Sequence, residues 1–226
     1  MRLKKLGAAL VVVAALGAVL ASSALAAAVT EDVKWYTGAA PGTELSGTAA
    51  VTSEQVGEAT MATTVSGQAI ELHSTNVKCS GCIIENSGGT AIASGKVEFT
   101  GVTVAKPSGC GVASTITTKA LKVKADYMIG STAYTLVEPA AGSETGFATV
   151  ELTGASCPIK TAIIPKGIVF CQWSNSTGTQ ATEHTASGSA AINSTAGGSL
   201  HVGTETLTVT GTMKGKLSSG VAYGAH

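Results

Sequence analysis

Residues 120–128 read Ala-Leu-Lys-Val-Lys-Ala-Asp-Tyr-Met. Leu121, Val123, Ala125 and Tyr127 fall on one side of an extended chain, and Lys122, Lys124 and Asp126 on the other. Side chains alternate across a strand, so this pattern predicts a strand with one buried and one wetted face. Gly130-Ser131 then turns the chain into Tyr134, Leu136 and Glu138, and 120–138 reads as a β-hairpin. Runs of the same β-forming character recur at 68–74, 95–104, 111–118, 147–153, 167–173, 200–210 and 212–217, separated by Gly, Ser and Asn. No later window sustains a 3.6-residue period, so any helix is expected to be short. The expectation is all-β: an antiparallel β-sandwich or barrel of about 10–14 short strands.

A different kind of sequence precedes the strands. Met1-Arg2-Leu3-Lys4-Lys5 is basic, Leu6 to Leu20 is apolar, and Ser22-Ser23-Ala24-Leu25-Ala26 supplies an Ala-x-Ala site. That order predicts a signal peptide over 1–26, cleaved after Ala26, with Ala28 as the alternative. Leu6 to Ala28 is long enough to be an uncleaved anchor. Gly7, Gly17 and the Ala-rich end weaken that reading, and no basic stop-transfer cluster follows. No Cys lies near the cleavage site, which argues against a lipoprotein. The mature chain is therefore expected to be secreted, extracellular or attached to the cell surface, with no membrane contact after cleavage. The Lys-Lys start and Ala-rich segment look bacterial. Residues 27–43, with Trp35-Tyr36 and Pro41-Gly42, read as a leader, and 44–226 as a single all-β domain.

Charged residues are 12% of the chain, against roughly 25% in ordinary globular proteins. Ser and Thr fill the gap beside 28 Gly, which suits Thr-bearing strands and Gly turns. Loss of Arg2, Lys4 and Lys5 leaves 11 basic against 14 acidic residues. With no basic stripe, nucleic acid and anionic membrane surfaces are disfavoured as partners.

Five cysteines, Cys79, Cys82, Cys110, Cys157 and Cys171, favour disulfides in an exported chain and leave one unpaired. Spacing alone leaves the connectivity open. Cys79-Ser80-Gly81-Cys82 has redox-pair spacing, but Ile83-Ile84 and Asn86-Ser87-Gly88-Gly89 follow where such a pair needs a helix. His73-x5-Cys79-x2-Cys82 lacks the fourth ligand of a closed zinc site, so no metal or other cofactor is expected. The segment Val97-Glu98-Phe99-Thr100-Gly101 resembles Val150-Glu151-Leu152-Thr153-Gly154 and, more loosely, Leu207-Thr208-Val209-Thr210-Gly211. These are either a triplicated binding strand or the ordinary strand ends of a Thr/Gly-rich β-protein.

Catalytic patterns are sparse. There is no Gly-x-Ser-x-Gly elbow, no His-Glu-x-x-His and no phosphate-cradling Gly loop. Glu183 and His184 are adjacent and so point to opposite faces of a strand. Glu71 and His73 would share a face, as would Glu98 and Thr100. Nothing singles out two of Glu54, Glu58, Glu71, Glu138 and Glu144 as a glycosidase pair. No catalytic residue is assigned, and the chain is expected not to be an enzyme. Asn175-Ser176-Thr177 and Asn193-Ser194-Thr195 match the N-glycosylation triplet, a match that a Ser/Thr-rich sequence produces by chance.

Three segments together carry a family resemblance. They are Gly95 to Cys110 with Ile116 to Leu121, then Phe147 to Cys157, and finally Leu217 to Gly220 with Tyr223-Gly224. Over roughly 60–224 they resemble an uncharacterised, paralogue-rich family of secreted Cys-containing β-proteins from soil actinobacteria. The resemblance implies a Cys110–Cys157 pair. The family pattern carries Cys where this chain has Val102, and Cys82 is extra here, so Cys79 is left to a local link with Cys82 or to a free thiol. No activity comes with the family.

Three functions follow as expectations. The first is a non-enzymatic secreted or cell-envelope protein with a structural or adhesive role, self-associating through strand edges and the odd thiol. The second is a carbohydrate-binding module for cell-envelope polysaccharide, with Trp35, Tyr36 and Trp173 as candidate glycan contacts. The third is a hydrolase whose site carries no recognisable motif.

Overall fold

The computed structural model describes residues 33–88, 90–129, 132–173 and 180–225, without the side chains of 125–129, 132, 133 and 173. The expected signal peptide and the Asn175 triplet lie outside the described residues. Eighteen strands run through them. The first nine are β1 (Trp35–Thr37), β2 (Thr43–Glu44), β3 (Thr48–Val65), β4 (Gln68–Ser74), β5 (Asn76–Ser87), β6 (Thr90–Thr100), β7 (Thr103–Lys106), β8 (Gly111–Val112) and β9 (Thr115–Thr117). The others are β10 (Leu121–Ile129), β11 (Thr132–Pro139), β12 (Leu152–Thr153), β13 (Val169–Trp173), β14 (His184–Gly188), β15 (His201–Val202), β16 (Glu205–Thr206), β17 (Thr208–Leu217) and β18 (Tyr223–Ala225). One short helix, α1 (Ala190–Ala196), lies between β14 and β15.

Eight of these strands close a barrel. In chain order β3, β5, β6, β10, β11, β13, β14 and β17 each pair antiparallel with the next, and β17 returns to β3. The expected hairpin is β10–β11, with Leu121 opposite Pro139 and Val123 opposite Val137. The architecture is thus the barrel form of the all-β expectation rather than a sandwich of two sheets. The count exceeds 10–14 because eight of the eighteen strands have only two or three residues. The 18-residue β3, absent from the sequence expectation, pairs with β5 at Thr48–Ala50 and with β4 at Ala59–Val65. Gly57 has φ +78° where β3 passes from one partner to the other, which favours glycine there. Ser66 and Gly67, both at positive φ, make the tight β3–β4 turn that a right-twisted hairpin favours.

The outer faces carry the polar residues. Thr52 and Glu54 of β3 are exposed, paired with Lys216 and Lys214 of β17, and Lys214 bridges to Glu183 at 2.8 Å. This polarity is the reverse of a membrane-spanning barrel, whose outer band is apolar. Among the described residues no helix is long and apolar enough to cross a membrane.

Each end of the barrel is covered differently. At one end β1 sits between β18 and β2 in a three-stranded sheet. Trp35 of β1 is 2% exposed and packs with Ile84, Ala91, Leu217 and Tyr223. Its indole N–H donates to the Ile92 carbonyl at 2.9 Å. Asn86 accepts from the Trp35 backbone N–H at 2.7 Å and donates to the carbonyls of Trp35 and Leu45, both at 3.1 Å. Val33 and Trp35 of the leader segment thus pack into the core, and β2 straddles the expected boundary at 43/44. At the other end β4, β7, β8 and β12 enclose a second apolar cluster around Ile70, Leu72, Val150 and Ile163. Cys110 and Cys157 are bonded there with a Cα–Cα distance of 4.5 Å. α1 packs outside the barrel, where Ile192 and Ala196 meet Tyr134, Leu136 and Phe170. Ser189 caps its N-terminus and Gly197, in the left-handed region, ends it.

Cys79 and Cys82 form the second disulfide, across a bulge in β5 between Ser80 and Ile83. Gly95 opposite them leaves room for the Cys82 sulfur, which a Cβ at that position would meet. The two bridges differ in the length of chain they close, 47 residues against 3. Chain-entropy reasoning gives about 4 kcal/mol for the long loop and about 2 kcal/mol for the short one. Paired Cys→Ala replacements should therefore lower the denaturation free energy more for Cys110/Cys157 than for Cys79/Cys82, as measured by urea unfolding. Equal losses would refute this ordering.

Candidate functional site

The barrel is not filled. A cavity of about 230 Å³ lies inside it, walled almost wholly by apolar side chains. Of the eight barrel strands, β3, β6, β10, β11, β13 and β17 line it. On β11 and β13, Val137 faces Val169, and both line the cavity. The intervening Leu136 and Phe170 turn outward to α1. Ala59 and Met61 come from β3, Val97 and Phe99 from β6, and Val209 and Met213 from β17. Phe147, Val150 and Leu200 belong to the connections that fold over this end. All three Thr-Gly segments reach the wall: Val97 and Phe99 from the first, Val150 from the second, Leu207 and Val209 from the third.

Polar groups around the wall are few. Thr118 Oγ1 accepts from the Val97 N–H at 2.9 Å. Ser74 Oγ lies 2.9 Å from the carbonyls of both Asn76 and Thr100. Thr60 and Thr210 share a hydroxyl–hydroxyl hydrogen bond. Cys171, the only free cysteine, also lines the cavity. Protein surrounds it, and this desolvation pushes its thiol pKa up to about 11. It is only half-buried by area because its open side is the cavity. Such a thiol is a poor nucleophile at neutral pH.

His73 stands at the cavity wall and continues to the surface. It bonds Glu58 through Nδ1, and its Nε2 lies 2.8 Å from Glu71, which also binds Lys106 at 2.9 Å. Glu71 and His73 do share a face, as their spacing implied, and β7 adds the lysine. The Glu71 hydrogen bond is the main cause of a His73 pKa held above its ordinary value, and the Glu58 charge adds to it. Lys106 and His73 hold the Glu71 carboxyl below its usual range. Ser74 Oγ turns away to backbone carbonyls, and among the described residues the side-chain partners of His73 are the two carboxylates. At the other end, burial holds His184 below its ordinary pKa; its Nε2 lies 2.6 Å from the Tyr223 carbonyl. Among the described residues no group of three or more His, Cys, Asp or Glu is arranged to hold a metal ion.

The candidate glycan contacts are not brought together. Trp35 is buried in the end plug, so it offers no exposed ring to a sugar, and this corrects its assignment. Tyr36, half-buried, points to the other side of the same strand. Trp173 ends β13, with its side chain outside the described residues. Asn193 is structural: its amide accepts from the Phe170 N–H at 2.8 Å and donates to the carbonyls of Phe170 and Ser189. Glu183 pairs with Lys214 and Glu98 with Lys78, both at 2.8 Å. Sequence reasoning missed the cavity wall itself. The Val169-x-Cys171 alternation was its one local signal, and it places the thiol inward.

A raised His73 pKa carries a sign. Folding binds a proton more tightly there, so this contribution is complete below the unfolded pKa near 6.5 and is lost as pH rises through the folded value. An NMR titration should place the His73 midpoint above 6.5. Glu71→Gln should lower it more than Glu58→Gln, and the reverse order would contradict the assignment. No family model, curated protein or solved structure matches the chain.

Proposed function

We propose that this is an exported binding protein that holds one small apolar molecule inside its barrel. The cavity carries this reading. Protein interiors normally pack without voids larger than a water molecule. At about 24 cal/mol per Å³, a cavity of about 230 Å³ costs about 5.5 kcal/mol relative to a filled core. That is as large as the net stability of many domains. Such a wall does not hold water well, because few of its groups are free to bond it. A benzene molecule fits about 150 Å³. By proportion this cavity takes about nine heavy atoms. The 1–26 segment would deliver the chain to an oxidising compartment, in keeping with its two disulfides.

The alternatives have less support. Self-association through strand edges and an odd thiol draws on features that the fold withdraws. Ring closure pairs both sides of the eight barrel strands, leaving only short strands such as β7 and β9 at the edges of the sheet, and Cys171 faces the cavity. A sugar platform loses Trp35. Hydrolysis has His73 and two carboxylates but no nucleophile beside them.

Isothermal calorimetry with 4-ethyltoluene should show saturable one-to-one binding. Val137→Phe and Val209→Phe, which fill the space from opposite sides, should each weaken it at least tenfold while far-ultraviolet circular dichroism stays unchanged. No heat of binding at any probe concentration, or binding indifferent to both replacements, would remove this reading.

A further inference from the structure

The polar side chains on the cavity wall are already engaged, apart from one thiol. Among the described residues, Thr60, His73, Ser74 and Thr118 are the lining side chains that carry oxygen or nitrogen. Thr60 shares its hydrogen bond with Thr210, and Thr118 accepts from the Val97 N–H. Ser74 reaches the carbonyls of Asn76 and Thr100. His73 meets Glu58 at one ring nitrogen and Glu71 at the other. A hydroxyl, amide or charge brought into the cavity would find the Cys171 thiol, a weak donor and acceptor. Losing its water without a replacement counts against any such molecule.

What the wall does present is sulfur. In ring order β13, β14, β17 and β3 form one continuous arc. It brings Cys171 from β13, Met213 from β17 and Met61 from β3 to the cavity. The Cys171 sulfur leans toward Gly188 of β14, where an added Cβ would stand 3.7 Å from it. Met61 stands opposite Val209, which lines the same space. The chain has four methionines, counting Met1, and two of them are here, so sulfur is concentrated at this wall. Methionine often serves to fill irregular gaps in a core. Here the space beside both remains open, so the thioethers border it rather than plug it. Phe99 of β6 lines the cavity from the other side of the ring, and Phe147 from the connection over the end.

Sulfur and aromatic rings attract each other: a polarisable sulfur sits favourably about 5 Å from a ring, often at its edge. The two phenylalanines offer edge-to-face or offset contacts that a saturated molecule cannot return. Resting on the cavity reading above, we infer that the ligand is an alkylbenzene: one aromatic ring with short saturated substituents, about nine heavy atoms in all, and no hydrogen-bonding group. Selectivity follows on both counts. A phenol or alcohol leaves its hydroxyl unbonded, and a cycloalkane of the same size forgoes the sulfur and ring contacts.

The test is calorimetry on the mature chain with its disulfides formed, using probes of similar size: 4-ethyltoluene, 4-ethylphenol and 1-ethyl-4-methylcyclohexane. In the wild type, 4-ethylphenol should bind about tenfold or more weakly than 4-ethyltoluene. Met61→Leu and Met213→Leu, made together, nearly conserve volume. This double variant should weaken 4-ethyltoluene by about fivefold or more and leave the cyclohexane within about twofold. Comparing variant with wild type for each probe cancels the different ease with which the two hydrocarbons leave water. If the double variant does not fold, the wild type labelled with 13C-methyl methionine decides. Bound 4-ethyltoluene should shift the Met61 and Met213 methyl resonances by ring current, and the cyclohexane should not. Equal losses for both hydrocarbons, methyl resonances that 4-ethyltoluene leaves in place, or 4-ethylphenol bound as tightly as 4-ethyltoluene would overturn the inference and leave the apolar cavity reading standing. Failure of both hydrocarbons to bind would overturn the cavity reading, and the inference with it.

Discussion

The ladder between β3 and β17 is the constraint on which the rest of the structure depends. Every other barrel pairing joins strands consecutive in the ring and reached by a local connection. This one joins Val51–Ala62 to Thr208–Leu217 across most of the chain. Closing so long a loop costs entropy that grows only slowly with length, so a run of aligned hydrogen bonds can meet it. Once made, the ladder defines an inside and an outside. The alternation along each strand becomes a radial sorting: Val, Ala, Met and Cys inward, Thr, Glu and Lys outward. It also leaves the ring without the exposed edges that an open sheet must protect.

An eight-stranded ring is just wide enough for side chains to fill. This chain is poor in the side chains that would fill it, since aromatic residues are only 4% of the sequence. Trp35 and Tyr223 are placed at one end, where their rings lie 6.0 Å apart and Tyr223 donates to the Gly215 carbonyl at 3.0 Å. That end is solid. Further along, small residues face inward, with Gly188 beside Cys171 and Gly211 beside Ala59. The same composition that makes good strands therefore leaves the remaining interior underfilled. The cavity is a consequence of where the few large residues were placed.

Local pattern made part of this legible. The β10–β11 hairpin could be read because its alternation is unbroken and its turn is short. The four bridged cysteines pair as the family resemblance implied for Cys110 and Cys157, and as its local option allowed for Cys79 and Cys82. Closure was not legible, because no residue of β3 announces that its partner lies some 150 positions away. β3 itself was hidden by Gly57 and by outward Glu54 and Glu58, which look like loop until the strand is seen to change partners there. Trp35 looked like an exposed aromatic because it precedes the evident strands. Its burial depends on Asn86 and Ile92, which meet it only in the folded chain.

The inward thiol has a further consequence. Because Cys171 is the only sulfhydryl not committed to a bridge, the molecule carries a built-in clock for its own breathing. A bulky alkylating reagent reaches that sulfur by way of the apolar cavity, so the labelling rate measures access to the barrel interior more than the reactivity of the sulfur. Conditions that loosen the wall locally would quicken the clock while leaving the global unfolding transition in place. The fold thus records its own fluctuations at a single atom, with no probe added and no residue changed.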